Sequence, residues 1–265
     1  MRFCNIASGS SGNCTYIGDE ETHLIVDAGI SCKRIEEGLN GLDLSLKDVN
    51  GILITHEHSD HIAGLAVISK KYGLPIYATS GTIEAMRSMS RCGSIPWELC
   101  HVVEADRCFD IGDFSICPVA ISHDAMEPVA YRFENGGRRA SIATDLGKYD
   151  QHLVDMMSDS DILMLEANHD IRMLEVGPYP YRLKKRILGE KGHLSNDNCG
   201  RLLTRLISDR LQQVILGHLS QENNLEELAY ETVRMEVTMA DEGYKWGEFP
   251  VVIANRNEGT ECFEL

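Results

Sequence analysis

A chain of 265 residues with 43% apolar and 25% charged side chains is long enough to bury a sizeable core, as one large domain or two small ones. Its formal charge of −16 argues against a protein that coats nucleic acid, but not against an enzyme whose metal ions supply positive charge locally. No apolar run is long enough for a membrane span, and Met1-Arg2-Phe3-Cys4-Asn5-Ile6-Ala7 has no signal-peptide pattern, so the expectation is a cytoplasmic protein.

The chain opens with strands at 3–7, 14–17 and 23–26, punctuated by Ser8-Gly9-Ser10-Ser11-Gly12 and Gly18-Asp19-Glu20. A short helix at 33–39 precedes Val49-Asn50-Gly51-Ile52-Leu53-Ile54, which reads as a buried strand. Helix follows at 62–72, strand at 74–78 and helix at 82–91. Further strands fall at 114–119, 129–133 and 139–143, the last two joined by the turn signal Asn135-Gly136-Gly137. Strands at 162–166 and 213–216 alternate with helices at 151–157, 196–209 and 224–239. No repeat or linker divides the sequence. Two β-rich halves with helices outside predict an α+β fold in which two packed sheets are covered by helices, a single domain over 1–265.

Nine scattered cysteines, with no Cys-x-x-Cys pair, read as buried inert thiols. Charge is uneven: from Arg172 to Arg210 nine Lys/Arg accompany four Asp/Glu, a local surplus of +5. A solvated helix face explains such a run, and so does a phosphate-facing strip beside a site.

The chemistry is concentrated in His56-Glu57-His58-Ser59-Asp60-His61, directly after an apolar strand. Residues two apart in an extended segment point the same way, so His56 and His58 can share one metal. Past the turn, Asp60 and His61 can face a second. Imidazole and carboxylate suit zinc, iron or manganese, and paired ions of this kind sit roughly 3.5–4 Å apart. A lone histidine here would read as a surface turn residue; three with an aspartate do not. Further donors follow apolar strands: His123 after Val119-Ala120-Ile121-Ser122, Asp145 after Ile142-Ala143-Thr144, and His218 after Ile215-Leu216-Gly217. Rigid strand ends commonly deliver site residues, although each alone would read as a loop histidine or a helix cap.

This ordered set resembles the metallo-β-lactamase superfamily, with spacing nearest its phosphodiesterase branch. The resemblance implies an αβ/βα four-layer sandwich of two mixed sheets. It also implies two divalent ions, zinc or manganese, one held by His56, His58 and His123, the other by Asp60, His61 and His218, with Asp145 shared. The stretches Ser8–Asn13, Ser122-His123-Asp124, Ala143-Thr144-Asp145-Leu146-Gly147, Glu166-Ala167-Asn168-His169-Asp170, Gly177-Pro178-Tyr179-Pro180, Gly192-His193-Leu194-Ser195-Asn196 and Gly217-His218-Leu219-Ser220-Gln221-Glu222-Asn223-Asn224 resemble the bacterial YycJ/WalJ exonuclease group.

That likeness implies a 5′→3′ DNA exonuclease with a metal-held hydroxide as nucleophile and DNA as its partner. No obligate protein partner is readable. His193 matches a non-ligand histidine that contacts phosphate or serves as general acid, and Asp60 stands with it as a catalytic candidate. Ser10, Ser11 and Asn13 are candidate phosphate contacts, or parts of a tight turn only. Asp27 matches a position that supports the site rather than ligating. Glu166-Ala167-Asn168-His169 could bring His169 near the site, while His23, His101 and His152 read as packing or surface residues.

Competing readings are a phosphodiesterase for small cyclic or dinucleotide substrates, a processing ribonuclease, and a non-catalytic metal-binding regulatory protein. A thioester or lactam hydrolase fits less well, because Ser122-His123-Asp124-Ala125-Met126-Glu127-Pro128 lacks the Gly-His-Thr-x-Gly-His-like turn of such enzymes.

Overall fold

The computed structural model describes residues 1–240, 246–256 and 258–265. Two compact units emerge: unit 1 comprises 1–120, 125–137 and 255–265, and unit 2 comprises 121–124 and 138–254.

Unit 1 begins with β1 (Arg2–Ala7), β2 (Cys14–Gly18) and β3 (His23–Val26), followed by α1 (Cys32–Asn40) and β4 (Gly51–Leu53). Next come α2 (Ser59–Ile62), α3 (Leu65–Tyr72), β5 (Ile76–Thr79), α4 (Ser80–Ser88) and β6 (Cys100–Val103). A meander of β7 (Phe109–Ile111), β8 (Phe114–Ala120) and β9 (Val129–Asn135) completes its main body. In unit 2, β10 (Arg138–Ala143), α5 (Gln151–Met157) and β11 (Ile162–Glu166) precede α6 (Ile171–Val176), α7 (Tyr181–Ile187) and α8 (Asn196–Leu206). β12 (Gln213–Gly217), α9 (Glu226–Met239) and β13 (Val251–Ile253) follow, and the chain returns to unit 1 with β14 (Phe263–Glu264).

The unit 1 sheet runs β14-β1-β2-β3-β4-β5-β6. β1, β2 and β3 pair antiparallel through short turns, whereas β3, β4, β5 and β6 pair in parallel because α1, α3 and α4 lie in the connections. Its core gathers Ile6, Tyr16, Ile25, Ile35, Leu39, Ile52, Ile68 and Ile76. β7, β8 and β9 form an antiparallel meander. In unit 2, β10 to β13 pair in parallel in sequence order, so the C-terminal ends of β10, β11 and β12 lie side by side. Those ends lead into Asp145, Glu166 and His218. Where β11 begins, buried Asp161 accepts from the Arg139 backbone N–H (2.8 Å), Arg210 Nη2 (2.8 Å) and Gln212 Nε2 (3.1 Å). Its burial raises the carboxyl pKa, but these donors win and hold it below the ordinary range.

Several expectations need correction. The helix expected at 62–72 is two pieces, α2 and α3, broken at Ala63-Gly64. Gly64 N donates to Ala28 O at 2.8 Å, and a Cβ there would lie 2.2 Å from Ile30 O, so close backbone approach sets the break. The cysteines are not all free thiols: Cys108 and Cys117 form a disulfide beside the Phe109–Ile116 pair of the β7–β8 hairpin. Their register brings them face to face, which scattered sequence positions do not reveal. α6 and α7 and the short strands β6, β7, β13 and β14 also escaped the reading, being too short or too exposed for a clear apolar period. Among the described residues, no helix is long and apolar enough to cross a membrane.

Candidate active site

In unit 1 the site starts from backbone stitching. β3 ends at Val26, and Asp27 just past it, with a φ of 61°, turns the chain so that Ala28 N donates to His61 O and Gly29 N to Asn13 O, both at 2.8 Å. Asn13 N in turn donates to Asp60 O at 2.8 Å. Gly29 has no room for a side chain, since its Cβ would fall 1.6 Å from Asp60 O. The 8–13 turn, the 27–29 turn and the His58–His61 turn are therefore fixed as one unit.

Hydrogen-bond logic then sets the imidazoles. Asp27 Oδ2 receives His61 Nδ1 at 2.7 Å, and Asp27 also receives both the N–H and the hydroxyl of Thr55. Thr55 has one hydroxyl hydrogen, which goes to the acceptor-only carboxylate, so its oxygen accepts from His56 Nδ1 at 3.0 Å. Both rings thus carry the proton on Nδ1 and present a lone pair on Nε2, the tautomer a metal ligand needs. Asn13 Nδ2, 3.1 Å from His61 Nε2, is oriented to donate to that lone pair. The His56 ring centroid lies 4.6 Å from that of His58 and 4.1 Å from that of His61. Asp60 Oδ2 lies 3.6 Å from His61 Nε2. His56 and His61 are buried, while His58 and Asp60 retain some exposure.

The neighbouring residues sort by role. Glu57 is buried and accepts the Met126 N–H at 2.9 Å, which ties down the 125–128 loop. Ser10 and Ser11 are exposed, whereas the Asn13 amide is buried and engaged with Gly9 N, Asp60 and His61. Of the three, Asn13 is therefore committed to fixing the turn.

In unit 2 a single carboxylate organises the cluster. Glu166, at the C-terminal end of β11, is fully buried. Its Oε1 receives His218 Nδ1 at 2.7 Å and His193 Nδ1 at 2.8 Å, and its Oε2 receives the N–H groups of Leu146 (3.0 Å) and Leu194 (3.1 Å). Burial alone would raise its pKa; the His193 and His218 donors overcome that and bring the carboxyl down to about 2. His193 and His218 are again Nδ1-protonated, with Nε2 left for a ligand. His123 reaches the same state by a different route, with its Nδ1 3.1 Å from the Gly192 carbonyl. Asp145 and His218 both sit at positive φ (59° and 55°) just past strand ends, and Asp145 Oδ1 lies 3.5 Å from Nδ1 of both His193 and His218.

Glu166 is the functional residue that sequence reasoning missed as an individual. The signal that marks it is the same as for Asp145 and His218, an ionisable residue at the end of an apolar strand. His169 is buried, its Nδ1 3.3 Å from Asn168 Oδ1, and burial pulls its pKa down to about 4. His23 bonds Tyr16, His101 stacks on Tyr77, and His152 is exposed on α5.

Asp145, Glu166, His193 and His218 bring donor atoms within 4.8 Å of one another. Because Glu166 occupies the Nδ1 atoms, Nε2 is the atom left to ligate. The donors on both units are imidazole and carboxylate without thiolate, which fits a divalent metal ion.

The family model described as a beta-lactamase superfamily domain matches residues 22–219. The chain belongs to the metallo-β-lactamase superfamily, whose fold class is the α+β one expected. Within it, the chain is 38% identical over 250 residues to exodeoxyribonuclease YycJ of Bacillus anthracis, covering 94% of this chain and 92% of that one. It is likewise 38% identical over 243 residues to exodeoxyribonuclease WalJ of Streptococcus pneumoniae, covering 92% and 90%. The metallo-β-lactamase fold protein YhfI from Bacillus subtilis superposes with a TM-score of 0.69 over 98% of both chains at 17% identity, a likeness of fold.

Proposed function

We propose that the chain is a divalent-metal-dependent 5′→3′ DNA exonuclease acting in the cytoplasm, with its two units working as one catalytic domain over residues 1–265. The observation that carries this reading is the 38% identity, over more than nine tenths of the chain, to two proteins named exodeoxyribonuclease. In this reading two ions, zinc or manganese, are held by His56, His58 and His123 and by Asp60, His61 and His218, with Asp145 serving the pair. When bound, such ions would lower the pKa of coordinated water toward ~7 and would stabilise charge on phosphoryl oxygens.

The chain's own residues supply position and protons. Asp27, Thr55 and Glu166 hold imidazole tautomers that leave Nε2 available. His193, anchored through Nδ1 by Glu166, takes up a second proton at Nε2 and, as an imidazolium, gives it to the departing 3′-oxygen or holds a non-bridging oxygen with it. Ser10 and Ser11, exposed on the 8–13 turn, meet a phosphate; Asn13 acts from behind them by orienting Asp60 and His61.

Purified protein reloaded with zinc or manganese and given 5′- and 3′-labelled single- and double-stranded DNA tests the reading, with His58→Ala as control. Metal-dependent release of mononucleotides from the 5′ end, absent in the control, is the expected result. Brisk hydrolysis of a small phosphodiester with no cleavage of any DNA would keep the metal chemistry and overturn the substrate.

A further inference from the structure

α7 carries most of the local positive surplus of a strongly acidic chain, and its cations divide into two groups. Arg186 is anchored, meeting the Asp124 carboxylate through both Nε and Nη2 (2.5 and 2.8 Å), and Lys184 Nζ donates to Glu175 O at 2.7 Å. Arg182 and Lys185, on α7, and Lys191, in the turn beyond it, are exposed and have no hydrogen bond or ion pair among the described residues. Beside them Tyr181 is 79% exposed. Residues 181 and 185 are one helical turn apart, about 6 Å along the axis, so the ring and the ammonium share a face.

This helix is fastened to the unit 2 cluster. His193 N donates to Ile187 O (3.0 Å) and Gly192 N to Gly189 O (2.8 Å). Ser122 Oγ reaches Glu190 O (2.8 Å), and a Cβ on Gly147 would fall 2.4 Å from both Glu190 C and Gly192 N. The Arg186–Asp124 pair adds a clamp at the residue next to His123. α7 and the 188–193 turn, which ends in His193, are therefore held against the loops that carry His123 and Asp145.

We propose that this surface grips the substrate strand: single-stranded DNA runs along α7, with phosphates on Arg182, Lys185 and Lys191 and one base stacked on Tyr181. The proposal rests on the nuclease reading above and deepens it. Unpaired cations attract a polyanion, an exposed aromatic ring among them offers a platform to any base, and the two together read a strand without reading its sequence. A merely solvated basic face accounts for the lysines and arginines but not for a tyrosine left in water.

The test is fluorescence anisotropy of a labelled single-stranded oligodeoxynucleotide with phosphorothioate linkages on the metal-loaded protein, beside cleavage of the natural DNA. The double variant Arg182→Gln/Lys185→Gln is expected to raise Kd about tenfold or more and to reduce the salt slope by about 1.4, roughly 0.7 per lost phosphate contact. Tyr181→Ala should weaken binding roughly 5- to 160-fold, and Tyr181→Phe should restore it. Lys33→Gln, an exposed position on α1, should bind like the parent, and melting curves check that every variant folds. Variants that bind as the parent does overturn the surface while leaving the nuclease reading intact. Weakened binding without cleavage by the parent keeps the surface and overturns the nuclease, whereas a parent that does not bind DNA overturns both.

Discussion

Asp27 in unit 1 and Glu166 in unit 2 both bury a carboxylate behind imidazoles, but they distribute the load differently. Asp27 touches one ring directly and reaches the other through the Thr55 hydroxyl, so its two histidines hang on two different acceptors. Glu166 receives both His193 and His218 on the single atom Oε1 and uses Oε2 to fix two backbone turns. A relay loses one link when one atom is changed; a hub loses everything attached to it. Unit 2 should therefore be the more brittle of the two clusters, although its pieces are further apart in sequence.

That contrast can be broken most forcefully at the output of the hub. His193→Ala should lower turnover of DNA by about 10²–10⁴ while metal content, read by elemental analysis, stays that of the parent. Metal lost along with activity would move His193 into the ligand set. Next in size, Glu166→Ala removes the acceptor of four donors and should cost about 3–5 kcal/mol in urea unfolding, together with ~10–100-fold weaker metal affinity. Asp27→Asn keeps one acceptor oxygen and should cost less, about 1–3 kcal/mol, with a clear fall in metal affinity at His61. Equal losses in the two variants would erase the distinction between relay and hub.

The mildest test uses Asp161, a buried carboxylate of the same unit that serves arginines instead of imidazoles. Its folded pKa lies below the unfolded value of about 3.9, so its stabilisation is complete above that pH and is lost as pH falls through the folded value. Asp161→Asn should lower stability at neutral pH by about 1–2 kcal/mol and flatten the acid limb of the melting profile. An unchanged acid limb would show that another carboxylate governs it.

Legibility followed the same division. His56, His58, Asp60 and His61 were readable because six consecutive residues carry them, and Asp145 and His218 because each closes an apolar strand. Glu166 closes one too, yet a glutamate after Ile162-Leu163-Met164-Leu165 is also an ordinary way for a strand to reach water. Only the convergence of two imidazoles on Oε1 separates those cases, and that convergence spans 52 residues of sequence. The long strands and α1, α5, α8 and α9 followed from periodicity. By contrast α7 did not, since Tyr-Arg-Leu-Lys-Lys-Arg-Ile has little apolar face to announce a helix, and the Cys108–Cys117 pair depended on a register set by hairpin geometry.

The left-handed backbone at Asp27, Asp145 and His218 has a consequence for how a metal ion would be taken up. For a residue with a Cβ, each such φ costs roughly 1–2 kcal/mol, and that cost is met when the chain folds rather than when an ion arrives. Ion capture then requires no loop to search for its shape, only small adjustments of rings whose tautomers are already assigned. Uptake should resemble filling a mould more than tying a knot, with little change in amide exchange across these turns when metal is added.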